Sequence, residues 1–181
     1  MNKLIGFSLV LFFLAFSSNT FAQDTYGLPT DEATGKIYYK EVVEVPGTKS
    51  ELYRRAQKWL HSFFRNTSSV IRLLDEEKGV VEGRRQIKVT TTDKKGRVQP
   101  AGAVKYTFRI DLRDGKYRVR LFDFKMANNS AKPLESWFED TDPKAKALHA
   151  QIFKQIDADA KKLLASLKKG MRPTEIKDEE W

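Results

Sequence analysis

Residues 103–126 leave this chain little freedom. Val104, Tyr106, Phe108, Ile110 and Leu112 alternate without a break with Lys105, Thr107, Arg109, Asp111 and Arg113. That period of two fits a strand with one buried face and one wet face. Asp114-Gly115 follows, and an Asp-Gly pair between alternating runs is a strong hairpin signal. Residues 116–126 must then return antiparallel. In them the apolar parity changes from Tyr117, Val119 and Leu121 to Phe122, Phe124 and Met126, which predicts a bulge.

The flanking segments complete a sheet. Residues 37–45 carry β-branched and aromatic side chains and read as a strand, with a second bulge expected near Glu41 because its apolar parity also changes. After Pro46-Gly47, Thr48-Lys49-Ser50-Glu51 is a capping box that opens a helix. Leu52, Ala56, Trp59, Leu60 and Phe63 line its apolar side, and Arg54, Arg55, Lys58, His61 and Arg65 its polar side. Strands follow at 69–76 and 80–91, joined by Glu77-Lys78-Gly79, and a polar loop is expected over 92–102. A long loop is expected over 127–142. Asp142-Pro143 then reads as N-cap and first-turn proline of a long helix. Its stripe runs through Leu148, Ile152, Ile156, Leu163 and Leu167, widened by Phe153, Ala160 and Leu164, and Gly170 is the expected cap. The order is β-α-β-β-β-β-α. The four consecutive strands form an antiparallel meander, and both helices pack on one of its faces, giving a two-layer α+β sandwich.

The first 22 residues have a different character. Lys3 precedes an apolar run from Leu4 to Phe16, then a polar stretch, then Thr20-Phe21-Ala22. This is the layout of a cleavable signal peptide, with cleavage expected before Gln23. The run is short of the ~20 residues of a spanning helix, so no stable membrane insertion is expected after cleavage. The expected organisation is a signal peptide at 1–22, a leader at 23–36, one α+β domain at 37–170 and a polar tail at 171–181, exported to the periplasm or beyond the cell. The chain has no Cys, which removes thiol chemistry and disulfides; an exported domain without them is held by its core.

The segments Leu28-Pro29-Thr30-Asp31, Gly35-Lys36-Ile37-Tyr38-Tyr39, Glu41-Val42-Val43-Glu44-Val45 and 52–60 (Leu-Tyr-Arg-Arg-Ala-Gln-Lys-Trp-Leu) resemble a family of secreted bacterial proteins of unknown function. The likeness runs from about Leu28 to Met126. It implies a TATA-box-binding-protein-like fold, whose element order is the one read above, and it carries over no catalytic residue.

The formal net charge is +9. On the wet face of the meander, Arg84, Lys88, Lys105, Arg109, Arg113, Arg118 and Arg120 stand against Glu82 and Asp111. Read as a solvated sheet face, this row keeps the protein soluble; read as a binding surface, it suits an anionic glycan, a lipid headgroup or an acidic protein. Nucleic acid is not expected: this face lacks interleaved apolar wedges, and a signal peptide separates the protein from the genome. The two histidines, His61 and His149, do not form a metal pair. Glu135, Glu139, Asp140 and Asp142 match no calcium-loop spacing and sit where acids favour a helix start. Trp137 and Phe138 read as a pin between loop and core. No catalytic, cofactor or metal motif is present. The expected role is therefore a non-catalytic exported binding domain using the basic open sheet face. The alternatives are a carrier of a small apolar ligand between sheet and C-terminal helix, and an enzyme built on scattered carboxylates.

Overall fold

The hairpin through Asp114-Gly115 lies in the middle of one antiparallel sheet, with Gly115 at a φ of 73° that suits glycine. The computed structural model describes residues 25–173, with the side chains of all but 129–131. The expected signal segment and most of the tail lie outside the described residues. The strands are β1 (Tyr39–Glu44), β2 (Ile71–Asp75), β3 (Val80–Thr92), β4 (Val98–Arg113), β5 (Lys116–Met126) and β6 (Asn129–Pro133). They run β1-β5-β4-β3-β2 across the sheet, and β6 adds to the far end of β5. The meander β2 to β5 is as expected, and β1 closes the β5 side.

Both long helices lie over one face. The helix α1 (Lys49–Phe63) starts at the capping box: the Thr48 N–H donates to Glu51 Oε2 at 2.7 Å, and the Glu51 N–H donates to Thr48 Oγ1 at 3.3 Å. A single helical turn, α2 (Thr67–Val70), follows, and α3 (Pro143–Gly170) spans the sheet. Asp142 caps α3 through the Lys144 N–H at 3.0 Å. Tyr106, Phe108, Ile110, Leu112, Tyr117, Val119 and Leu121 are essentially fully buried beneath the helices. Phe108 stacks on Phe64 at 5.6 Å and meets the edge of Trp59 at 6.0 Å, while Tyr106 stacks on Phe124 at 4.8 Å. Pairs of this kind add about 0.5–1.5 kcal/mol each beyond the area they bury.

Several expectations need correction. No bulge occurs near Glu41: β1 pairs with β5 in unbroken register from Tyr39↔Leu121 to Glu44↔Lys116. The parity changes in the sequence because Val42 stands on the wet face, 59% exposed, and Glu41 on the helix side, where Lys168 pairs with it at 2.8 Å. The bulge in β5 is present, at Asp123, whose φ is 61°; it returns Phe124 to the core. Residues 67–70 are helical, capped by Asn66 on the Ser69 N–H, so the next strand starts later than expected. The expected loop over 92–102 is mostly strand, with a tight turn that Asp93 holds by accepting from the Lys95 and Arg97 N–H groups. The expected loop over 127–142 contains β6 and a 3-10 helix, Leu134–Glu139. Leu148 is exposed rather than part of the buried stripe. Gly170 belongs to α3, and Met171 caps it, fully buried. Finally, part of the leader belongs to the domain: Leu28 is in the core, and Thr30 bridges Ile37.

Two contacts tie α3 to the sheet by polar groups. Asp159 receives Arg85 and the Tyr106 hydroxyl, and Asp157 receives the Tyr39 hydroxyl. Farther along, β3 outruns β2 and leaves a free edge. Gln155 accepts from the Thr90 N–H and donates to its carbonyl, and Gln151 does the same for Thr92. Two side-chain amides four residues apart on α3 thus take the place of a neighbouring strand.

Candidate anion-binding face

Strand alternation places all seven basic candidates on the side away from the helices, because their neighbours in sequence are the buried residues. Register sets their spacing. Glu82, Arg109, Arg120 and Lys40 form one row across β3, β4, β5 and β1. Asp111, Arg118 and Val42 form the next, and Arg113, Lys116 and Glu44 the last before the hairpin turn.

The seven residues divide into two kinds. Arg109, Arg118 and Arg120 converge on Asp111, at 3.1, 3.2 and 2.7 Å, and Arg109 also reaches Glu82 at 3.1 Å. Burial alone would raise the Asp111 pKa; the hydrogen bond from Arg109 and the charges of Arg120 and Arg118 outweigh it and hold the carboxyl below its ordinary range. The same pairing raises Arg109. These three guanidiniums therefore form a fixed cluster with more positive than negative charge. Arg84, Lys88 and Arg113 differ: they are exposed and have no carboxylate partner among the described residues. Lys105 is half-buried, opposite Gln86 on one side and Lys125 on the other.

At the hairpin end the face opens into a cleft of about 410 Å³. Val42, Arg113, Lys116 and Arg118 line it from the sheet, and Lys49 and Lys78 from the first residue of α1 and the β2–β3 turn. Sequence reading did not find Lys49 or Lys78, since no pattern joins a helix start and a remote turn to one strand end. Tyr117 forms part of the wall. Burial, and then the charge of Glu41, push its hydroxyl up to about 12, so it stays neutral.

The other candidate groups are used structurally. Asp142 is a helix cap, Asp140 accepts from the Asp142 N–H, and Glu135 Oε1 accepts from the Ile37 N–H at 2.8 Å. No group of three or more His, Asp or Glu side chains that could hold a metal occurs among the described residues. His61 is exposed on α1. His149 stacks flat on Trp137 at 4.2 Å, and Trp137 meets Phe153 edge-on, while Phe138 is buried. The Trp137-Phe138 pair thus pins its segment to α3. No helix of the described residues is long and apolar enough to cross a membrane.

Solved structures share this architecture. A DUF4468 family protein from Bacteroides ovatus ATCC 8483 is 18% identical, with 83% of this chain and 93% of that one aligned at a TM-score of 0.61. A TBP-like protein from Parabacteroides distasonis ATCC 8503 is 15% identical over 77% of this chain and 96% of that one, at 0.53. At such identities the likeness concerns the fold. No curated protein matches the chain. The family described as a domain of unknown function (DUF4468) with TBP-like fold matches residues 39–127, which run from β1 to the end of β5 and hold the whole open face. Residues 39–127 of this chain are thus similar to the DUF4468 family, and the antiparallel sheet with helices packed on it is the TBP-like fold.

Proposed function

We propose that this protein is an exported, non-catalytic binding domain whose open sheet face takes an anionic partner. One observation carries the reading: Arg84, Lys88 and Arg113 are exposed on that face without carboxylate partners among the described residues, around a cluster in which three guanidiniums share Asp111. A surface arranged for solubility alone favours interspersed signs; clustered like charge favours an oppositely charged partner. The partner classes that fit are an anionic glycan, a lipid headgroup or an acidic protein segment.

The carrier reading has less support. A ligand space between sheet and α3 would be lined by Tyr106, Phe108 and Tyr117, and each of these is at most 1% exposed. Two of them are engaged in ring contacts with Phe124, Phe64 and Trp59. The enzyme reading needs acids gathered in a cleft, whereas Asp111 and Glu82 are held by arginines.

The test uses exposed residues and spares the Asp111 cluster. The double variant Arg84→Glu/Lys88→Glu should lose retention on an immobilised sulfated polysaccharide at low ionic strength, with an unchanged thermal midpoint. Equal retention of variant and parent across a salt gradient would refute the reading. Export is tested separately, by the N-terminal residue of protein recovered from a bacterial host: Gln23 is expected, and an intact Met1 would exclude cleavage.

A further inference from the structure

The open face is not uniform, and its hairpin end carries a cleft lined by several cations. There the sheet surface meets the start of α1 and the β2–β3 turn, and the space between them measures about 410 Å³. That lies within the range of small-ligand sites, roughly 300–1,000 Å³. Its walls bring together cations from three separate parts of the chain, Lys49, Lys78 and the β4–β5 residues Arg113, Lys116 and Arg118.

Their counter-charges are mostly committed elsewhere. Asp111, the carboxylate in the wall, already serves three guanidiniums. Asp75 pairs with Lys78 at 3.2 Å. Asp114 is turned to the Lys49 backbone N–H at 2.6 Å. Glu44 lies opposite Lys116 in the ladder and makes no ion pair with it. The Lys49 ammonium donates to the neutral Glu77 carbonyl at 2.7 Å. Among the described residues, Lys49, Arg113 and Lys116 therefore make no ion pair at the cleft, while Asp75, paired with Lys78, also feels the charge of Lys49. The helix start adds nothing, since Thr48, Glu51 and Asp114 occupy its first N–H groups.

We infer that the cleft between the β4–β5 turn and the start of α1 binds a phosphate-type oxyanion through Lys49, Arg113 and Lys116. Two lysines supply compact point charges and one arginine a planar fork that matches phosphate oxygens. Three cations suit a group carrying close to two negative charges, as a phosphate monoester does near neutral pH. Val42, 59% exposed at the rim, offers an apolar contact for whatever the phosphate is attached to. This inference rests on the anion-binding reading of the open face, and narrows it to one place and one chemistry.

The experiment titrates the full chain with inorganic pyrophosphate, and in a second arm with vesicles of phosphatidic acid, whose headgroup is a phosphate monoester, against the double variant Arg113→Glu/Lys116→Glu. Both residues are exposed and make no ion pair among the described residues, so the variant should fold; its thermal midpoint is the check. Saturable amide shifts at Lys49, Arg113 and Lys116 on adding pyrophosphate, weakened about tenfold or more in the variant, support a soluble phosphate ligand. Vesicle binding lost in the variant, with no response to pyrophosphate, supports the same chemistry on a lipid headgroup. Absence of both responses overturns the inference, as does binding that survives in the variant. The Arg84→Glu/Lys88→Glu variant separates the two proposals. If it loses the polysaccharide while Arg113→Glu/Lys116→Glu does not respond differently from the parent to pyrophosphate, the face binds anions and the cleft is not a site.

Discussion

Arg85 reaches from the helix-covered side of β3 to grip both carboxylate oxygens of Asp159 on α3, at 2.7 and 2.6 Å. The Tyr106 hydroxyl donates to the same carboxylate at 2.7 Å, and the guanidinium lies over Phe63 at 5.1 Å and Phe64 at 5.6 Å. Burial would lower the Arg85 pKa, but the Asp159 carboxylate more than offsets it. This is an ion pair inside the interface between sheet and helices, on the opposite side of the sheet from the basic face.

Breaking the pair from one end leaves a charge stranded. Asp159→Ala should destabilise the fold by about 3 kcal/mol, near the lower end for a buried pair. Tyr106→Phe should cost about 1.5–3 kcal/mol, because its hydroxyl bonds a charged carboxylate. Replacing both partners, as in Arg85→Met/Asp159→Leu, should recover part of the loss, since the Tyr106 hydroxyl is left without its acceptor. Urea unfolding of the three variants checks this. A double variant as unstable as Asp159→Ala would show that the pair does more than satisfy itself.

Gly83 is required for a close approach. A Cβ at this position would lie 2.3 Å from Phe108 Cζ, deep in the core. Gly83→Ala should therefore cost about 1–3 kcal/mol by overpacking, and Phe108→Leu in the same chain should restore part of it. Thermal unfolding is the measurement, and an Ala variant as stable as the parent contradicts the packing described.

The Gln151 and Gln155 amides shield the overhanging edge of β3. Gln151→Ala/Gln155→Ala should expose the Thr90 and Thr92 backbone, raise hydrogen exchange at those two amides and promote association at high concentration. Light scattering and exchange together test it; unchanged protection at Thr90 and Thr92 would show that the glutamines are dispensable.

His149 should make stability depend on pH. Burial under Trp137 holds its imidazole below the ordinary value, against the opposing pull of Asp140. The unfolded chain therefore takes up the proton first. The contribution is fully present above the unfolded pKa, about 6.5, and is lost as pH falls through the folded one. The thermal midpoint should fall between pH 7 and pH 5, and His149→Gln should flatten that slope. An identical slope in the variant would assign the dependence to other groups.

The meander and its wet face were legible because one unbroken alternation, 104 to 112, admits a single assignment of faces, and Asp114-Gly115 sets the turn. The capping box at Thr48 marked α1 for a similarly local reason. Glu41 and Val42 misled because period-two reading takes apolar side chains as buried, whereas Lys168 draws Glu41 to the helix side. The extension of β3 and β4 past residue 91 was hidden because its polar threonines are held by glutamines some sixty residues away.

What the amino-acid order determined by itself is therefore local: which stretches alternate, where helices start, and that Arg84, Lys88, Lys105, Arg109, Arg113, Arg118 and Arg120 share a side. Tertiary structure decided which of those charges are neutralised and which remain available, because Asp111 meets Arg118 and Arg120 only across the β4–β5 ladder. It also decided that Lys49 and Lys78 join them at one cleft, and that Arg85 and Asp159 meet in the interface. The physical reason is range: side-chain periodicity is a property of neighbours along the chain, while charge pairing depends on distances that only the folded packing sets.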